Sequence, residues 1–174
     1  QPHELRYHGW LGEGGYHAIE PTSLFVGLRL ETLSVLADMG VAVKCAHGEV
    51  GMISPSEGTN GVSWEQHEIE LALAPIEEAA DALVLTQYAL LNVAKQLHIA
   101  VSFAPMLLPG HAGSGLHQHL SVVRDNEHLA HVTDDGIMTD STSWLVGGLL
   151  ELGGALMCVG NRVEDSFLRL TQGK

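Results

Sequence analysis

The chain has 174 residues, of which 45% are hydrophobic, and a mean hydropathy of +0.14, so it can bury a core and is not a disordered polypeptide. Its 21 acidic residues outnumber 8 basic residues and give a formal net charge of −13. This balance argues against binding to nucleic acid or to an anionic membrane surface, because both require clustered lysine and arginine.

The first part of the chain predicts a helix, a strand and a loop. Thr22 or Ser23 is a suitable N-cap for a helix that ends before Gly40, where a glycine is expected just beyond the last turn. Residues 41–46 predict a strand, and the glycine-containing residues 51–63 predict a loop or an inserted turn.

Two more regular segments follow. Residues 64–73 alternate, with Ile69 and Leu71 on one face and Glu68 on the other, which is typical of a half-buried strand. Residues 76–98 carry apolar side chains near helical spacing and predict the strongest helix of the chain.

The second half predicts short strands around one apolar helix. Strands are expected over 99–104, 116–123 and 166–171. Residues 141–159 predict a helix whose apolar core is shorter than the roughly 20 residues needed to span a bilayer, so we expect it to be buried within the protein. Strands, a helix and further strands without a regular βαβ repeat indicate an α+β fold with a mainly antiparallel sheet and packed helices.

The cysteines and the chain ends indicate the setting in which the protein works. Cys45 and Cys158 lie far apart, which favours two buried thiols in a reducing compartment over a disulfide or a metal site. The chain begins at Gln1 with no visible signal peptide and stops at Lys174 directly after an apolar alternating stretch. We therefore expect a cytoplasmic protein of which residues 1–174 are one piece.

Four polar side chains on or beside the predicted strands have the chemistry of metal ligands. Glu49 follows the strand 41–46, Glu68 lies on the polar face of the next strand, and His117 and His119 share a face roughly 7 Å apart. Carboxylates with a single imidazole suit Mg²⁺ or Mn²⁺, whereas zinc would favour more histidine or cysteine. If the apolar faces pack under the helices, Glu49, Glu68 and His117 converge in one cleft.

Each of these residues also has an ordinary structural explanation. Glu49 would then be a loop carboxylate, Glu68 part of a solvated strand face, and the two histidines half-exposed surface residues. Arg169 would neutralise part of an acidic surface. Gly113-Ser114-Gly115 would form an ordinary turn, because no Gly-Lys-Ser/Thr follows as in a phosphate-binding loop. The residue types alone leave both explanations open.

Read in order, motifs along nearly the whole chain resemble the catalytic domain of glutamine synthetase. Ala46-His47-Gly48-Glu49-Val50 resembles the HHEV motif of that family, and Gln66-His67-Glu68-Ile69 resembles its GQxE motif. Gly113-Ser114-Gly115-Leu116-His117-Gln118-His119 resembles NGSGMHxHxS. Further similar stretches are Gly14-Gly15-Tyr16, Trp144–Leu150 (similar to YIGGLL) and Ser166–Leu170 (similar to NSYKRL). The shared order identifies the chain as resembling a partial, divergent member of this family, whose catalytic sheet is curved.

The resemblance implies a function and a set of roles. The family joins ammonia, or in relatives another amine, to the γ-carboxylate of glutamate with ATP and two divalent metals, and works as a homo-oligomer. By motif position, Glu49, Glu68 and His117 would be ligands of Mg²⁺ or Mn²⁺. His119 and Ser121 would face ATP, and Gly113 and Arg169 would bind glutamate. Phosphoryl transfer to a carboxylate brings several anions together, so metals and arginine are needed to offset their repulsion.

The chain also departs from the family pattern. Gly48 replaces the second histidine of HHEV, Ala112 replaces the asparagine of NGSG, and the usual lysine is missing near Met106. Glu49 and Glu68 are 19 positions apart, wider than in the family. By the resemblance, we expect the amino-terminal domain, the first metal-binding strand and the carboxy-terminal part of the catalytic domain to be missing from this piece.

These departures leave several hypotheses. The first is an ATP-dependent glutamate–ammonia ligase whose isolated 174-residue chain is inactive. The alternatives are a γ-glutamyl ligase for a larger amine and a degenerate, non-catalytic structural or binding member of the family. An unrelated metal-binding β-rich module is a weaker alternative, because the ordered match disfavours it.

Overall fold

The computed structural model describes residues 15–57 and 60–172, which divide into two compact units. One unit contains the described residues up to Ser114, and the other contains Gly115–Thr171. Each unit is described by itself below. The assignment of the whole chain to a single partial domain stays a prediction.

The first unit begins with helix α1, Val26–Asp38. The helix ends as predicted: Met39 is the last capping residue, and Gly40 beyond it has a φ of +77°, a conformation that costs glycine little. Leu36 is fully buried in the core against Val41.

The predicted N-cap of α1 is wrong, because the cap comes from another part of the chain. Phe25 occupies the capping position and makes no side-chain cap, while Thr22 Oγ1 donates to the Ile19 carbonyl at 2.6 Å. The carboxylate of Glu65, whose side chain is 1% exposed, accepts hydrogen bonds from Leu24 N at 2.8 Å and from Phe25 N at 3.3 Å. A carboxylate at a helix N-terminus satisfies free N–H groups and complements the helix dipole.

Strands β1, Val43–Ile53, and β2, Trp64–Leu71, form an antiparallel pair. Strand β1 continues seven residues beyond the predicted end, so the loop begins at Ser54 and Glu49 lies within the strand rather than after it. Register shifts interrupt the pairing on either side of residues 45–48, which allows a glycine-containing strand to bend without losing its partner.

Helix α2, Ile76–Gln96, packs on α1 and supplies much of the core of the first unit. The core consists of small apolar clusters that join the two helices to the sheet: Leu28, Val93 and Ala94 in one, and Leu36, Val41 and Ala89 in the other. The predicted strand 99–104 is wrong, since these residues are not in a strand, although Ile99 and Val101 pack against the first cluster.

The sheet of the second unit, among the described residues, is a small hairpin of β3, Val123–Arg124, and β4, Glu127–His128. Asp125 and Asn126 link the strands with positive φ at both positions, the geometry of a type I′ turn. The predicted strand 116–123 is therefore wrong for residues 116–122, which pair with no strand among the described residues. The alternation of this segment has no sheet partner to fix it.

The predicted helix 141–159 is two helices, α3, Asp140–Glu151, and α4, Gly153–Gly160. They break at Leu152, directly before paired glycines, and are bent by 67°. The prediction that this segment is buried is wrong, because neither helix has a buried residue and Trp144 is 74% exposed. In the described part of the chain, no single helix is long and apolar enough to cross a membrane, and only this bent pair passes a length and composition test together.

The last element, α5, Glu164–Gln172, is a helix where the alternation predicted a strand. Phe167 and Leu170 are also three residues apart, so the same short segment fits helical spacing. Acidic Glu164 in the first turn and basic Arg169 in the last turn complement the helix dipole.

The observed class is α+β, as predicted, with two small antiparallel sheets and five helices among the described residues. Curvature of the sheet stays a prediction. Cys45 and Cys158 are free, which is consistent with the predicted thiols, but both are exposed rather than buried.

Candidate metal centre

Three ligand-type side chains meet on one face of the β1–β2 pair. His47 lies directly opposite Glu68 in the strand register, so their side chains share a face, and Glu49 is two residues along β1 from His47. The potential ligand atoms of His47, Glu49 and Glu68 all lie within 4.8 Å of one another. The pairing register therefore brings together residues that are 19 to 21 positions apart in sequence.

The donor set of this cluster fits a hard divalent cation. The side chains of His47 and Glu49 are 15% and 22% exposed, and Glu68 is exposed, so the cluster is half-buried and open on one side. His47 Nδ1 lies 3.0 Å from the Gly48 carbonyl oxygen. Nδ1 also lies 3.6 Å from Oε1 of Glu49, so this ring nitrogen is close to both the carbonyl and a carboxylate of the cluster. Two carboxylates and one imidazole suit Mg²⁺ or, better, Mn²⁺.

Gly48, one of the departures from the family pattern, has a structural reason. Residues 15–18 lie against β1 at this point, where His17 N donates to the Gly48 carbonyl at 2.9 Å. A Cβ at position 48 would lie 3.2 Å from the Gly15 carbonyl oxygen and 3.4 Å from that of Ala18. A Cβ here would be tightly packed against backbone atoms, which favours glycine, and beside it the His17 ring stacks on the His47 ring with centroids 4.5 Å apart.

The opposite face of β2 is fixed to helix α1 by a buried polar chain. Arg29 Nη1 donates to His67 Nδ1 at 2.5 Å, which places the ring proton on Nε2, 3.3 Å from the Glu65 carboxylate. Burial lowers the pKa of the Arg29 guanidinium, and the charge of Glu65 opposes that shift. These side-chain contacts hold strand β2, which carries Glu68, against helix α1.

Glu70, two residues from Glu68, does not belong to the metal cluster. Its carboxylate accepts from Lys44 Nζ at 2.7 Å and from Cys45 Sγ at 3.2 Å. These hydrogen bonds raise the pKa values of both Lys44 and Cys45. Glu70 therefore already has a cationic partner.

The structure places the other predicted site residues as follows. Gly113 lies in the first unit, where its carbonyl oxygen accepts from Gln66 Nε2 at 2.9 Å. In the second unit Arg169 Nη2 donates to His117 Nε2 at 3.2 Å, so these two residues do meet. His119 and Ser121 are exposed, and Ser121 Oγ lies 2.9 Å from Nδ1 of His128.

The structure brings Glu49 and Glu68 together, as predicted, whereas the convergence of His117 with them stays a prediction. His47 was not predicted as a possible ligand from the sequence. Its position in the motif one residue before Gly48 gave no reason to choose it. A correct register of β1 on β2 could have found it, because that register places His47 opposite Glu68.

Comparison with known proteins connects this cluster to a family. The family described as "Glutamine synthetase, catalytic domain" matches residues 4–174. The chain is 35% identical to a glutamine synthetase of Frankia alni over 162 residues, covering 92% of this chain and 32% of that protein. It is 32% identical to a glutamine synthetase of a Nostoc species over 159 residues and 30% identical to one of Methylococcus capsulatus over 161 residues. These two alignments cover 91% and 92% of this chain and 31% and 32% of the relatives.

The chain thus spans about a third of the length of the curated relatives it matches. The family match nevertheless covers almost all of its residues and includes each motif described above. The resemblance found in the sequence is confirmed, and the chain belongs to the glutamine synthetase family.

Proposed function

We propose that the whole protein carrying this chain is an ATP-dependent ligase that joins ammonia to the γ-carboxylate of glutamate. The observation that carries the proposal is the cluster of His47, Glu49 and Glu68 on paired strands of a chain that belongs to this family. The ligand atoms of the three side chains lie within 4.8 Å of one another, and the two carboxylates among them repel each other unless a cation lies between them. That arrangement favours a divalent cation.

The residues of the cluster have a defined task in this chemistry. Glu49 and Glu68 would hold Mg²⁺ or Mn²⁺, with His47 beside them, and His117 would be a ligand by its position in the family motif. The bound cation would offset the negative charge of the glutamate carboxylate and the ATP phosphates. The imidazole of His47 would add a nitrogen ligand to the two carboxylates, a donor type that suits Mn²⁺ better than Mg²⁺.

The substrates would be bound by the remaining predicted residues. His119 and Ser121 would contact ATP. Gly113 would line the glutamate site, and the planar guanidinium of Arg169 suits a substrate carboxylate. Arg169 at present donates to His117, so a carboxylate would compete with that ring for the same N–H groups.

The proposed reaction has two steps. A γ-carboxylate oxygen of glutamate forms a bond to the γ-phosphorus of ATP as the bond to ADP breaks, giving γ-glutamyl phosphate. The amine nitrogen then bonds to the acyl carbon, phosphate leaves, and the nitrogen loses a proton.

We propose further that the 174-residue chain alone forms no product and that the active protein is a cytoplasmic homo-oligomer. The chain spans about a third of the length of its relatives, and the family resemblance implies further metal ligands and phosphate-binding arginines in the part that it does not span. Members of a catalytic constellation act as a unit, and an incomplete one loses rate out of proportion to the missing parts.

The proposal is tested by a γ-glutamyl transfer assay on the whole protein with ATP, glutamate and ammonia. Product should form with Mg²⁺ or Mn²⁺ and should fall at least about 100-fold in Glu68→Gln, because removal of a charge-stabilising group costs that much or more. Glu70→Gln is the matched control, since it removes the same charge two residues along β2 and should keep activity. A whole protein that binds Mn²⁺ and forms no product with any amine would instead be a non-catalytic member of the family.

A further inference from the structure

Gln66 occupies a position that the metal cluster and the helix cap leave unexplained. It lies on the same face of β2 as Glu68, two residues along the strand, so the Cα atoms of the two residues are roughly 7 Å apart. Its amide is half-buried and hydrogen bonded at both ends.

The partners of this amide lie on two different segments. Gly51 N, on β1, donates to Gln66 Oε1 at 3.1 Å. Gln66 Nε2 donates to the Gly113 carbonyl oxygen at 2.9 Å and to Ser114 Oγ at 3.2 Å. Because a backbone N–H only donates and a carbonyl only accepts, these partners fix the orientation of the amide. Glutamine is thus the residue type that can satisfy both segments at once.

The packing around the amide is equally specific. A Cβ at Gly51 would lie 2.8 Å from Gln66 Oε1 and 3.3 Å from the Ala112 Cβ. Glycine at position 51 and a small residue at position 112 therefore let the turn at Gly113–Ser114 come close enough to hydrogen bond with Gln66. This turn has a second attachment, because Ser114 N donates to the Pro105 carbonyl at 2.9 Å.

We propose that Gln66 is a positioning residue that holds the Gly113–Ser114 turn beside the metal face of β2 and so sets the affinity for glutamate. This inference rests on the proposed function, in which Gly113 lines the glutamate site and Glu68 holds the metal. Gln66 does not contact the metal ligands through its amide, whose hydrogen bonds go to Gly51, Gly113 and Ser114. Its loss should therefore weaken glutamate binding and leave metal binding unchanged.

The experiment compares Gln66→Met, Gly51→Ala and the control Gly27→Ala in the 174-residue chain. Methionine keeps the volume of glutamine without its hydrogen bonds, and Gly51→Ala displaces the amide without altering position 66. Gly27 has no neighbour within 4 Å of an added Cβ, so its replacement controls for the substitution itself. Should Gln66→Met fail to fold, Gly51→Ala still tests the inference.

Amide hydrogen exchange tests the attachment directly. Exchange at Ser114 should be at least about tenfold faster in both test variants, because the turn opens locally when one of its attachments is lost. Exchange at Ala72, which donates to the Ala42 carbonyl at the end of β2, should not change. Unchanged Ser114 exchange in both variants would overturn the inference.

Binding of L-glutamate in saturating Mn²⁺ tests the functional part. Gln66→Met and Gly51→Ala should raise the Kd for glutamate about tenfold and keep the Kd for Mn²⁺ within about twofold, a tenfold change being about 1.4 kcal/mol. Faster Ser114 exchange with unchanged glutamate affinity would overturn the positioning role. A wild-type chain that binds no Mn²⁺ would count against the proposed function instead, and exchange at Ser114 would still decide whether Gln66 holds the turn.

Discussion

Replacing Glu65 with glutamine should destabilise the first unit through the N-terminus of α1. The Glu65 carboxylate accepts hydrogen bonds from two backbone N–H groups, at Leu24 and Phe25, and from Ser23 Oγ at 2.9 Å. Hydrogen bonds to a charged group contribute roughly 1.5–3 kcal/mol each, and loss of a helix cap costs about 1 kcal/mol. A neutral amide keeps the shape but loses the charge and turns an N–H group toward other N–H groups. We expect Glu65→Gln to cost about 3 kcal/mol.

Urea unfolding of the chain, followed by circular dichroism, measures this cost. With a slope of about 1–3 kcal/mol per molar urea, 3 kcal/mol lowers the midpoint by about 1–3 M. Ser23→Ala is the graded control, because it removes one donor and leaves the carboxylate with its backbone partners, and it should cost about 1 kcal/mol. A Glu65→Gln variant within about 0.5 kcal/mol of the wild type would refute the assignment of Glu65 as the cap of α1.

Three further predictions follow from the described contacts. The hydrogen bond to Glu70 raises the pKa of the exposed Cys45 thiol. In a Cys158→Ser background, Glu70→Ala should therefore speed alkylation of Cys45 at pH 8 several-fold. An unchanged rate would show that Glu70 does not raise the pKa of this thiol. The hydrogen bond from the Ser54 backbone N–H lowers the pKa of Glu57 from its ordinary 4.5. Glu57 should therefore stabilise the folded chain above pH 4.5, and this contribution should be lost as the pH falls through the lower pKa of the folded state. An NMR titration of Glu57 with a midpoint at or above 4.5 would contradict this. The purified chain should form no γ-glutamyl product from ATP and glutamate, and product formation that Glu68→Ala abolishes would show that it is active by itself.

The segments with long, regular patterns were predictable from the sequence. The two long elements over 64–73 and 76–98 and the glycine beyond α1 are present close to their predicted limits, because each depends on local spacing or on one residue type. Glu49 and Glu68 were also correctly expected to lie together, through the family resemblance and the alternation of β2.

The failures of prediction share a physical cause, which is dependence on distant residues. The cap of α1 is supplied by Glu65, 40 residues away, so no local signal at Ser23 could reveal it. The segment 116–122 has the alternation of a strand but no partner among the described residues. The segment 166–171 is too short for its alternation to be distinguished from the helical spacing of Phe167 and Leu170.

The position of His47 beside Glu68 was missed for the same reason. Which residue of β1 lies beside Glu68 is set by strand register, and the register here shifts twice. Motif comparison directs attention to Glu49 and to the altered Gly48. Only the paired strands show that a ring nitrogen of His47 lies within 4.8 Å of a carboxylate oxygen of Glu49 and of one of Glu68.

Titration of the 174-residue chain with Mn²⁺, with free Mn²⁺ followed by electron paramagnetic resonance, tests the metal centre most directly. We predict one bound Mn²⁺ per chain, held more tightly than Mg²⁺, with an affinity that falls at least about tenfold, or about 1.4 kcal/mol, in Glu68→Gln and in His47→Ala. Glu70→Gln should stay within about twofold of the wild type, which separates loss of a ligand from loss of a nearby charge. An Mn²⁺ affinity unchanged by Glu68→Gln would contradict the account and leave Glu68 as a solvated residue on the strand face.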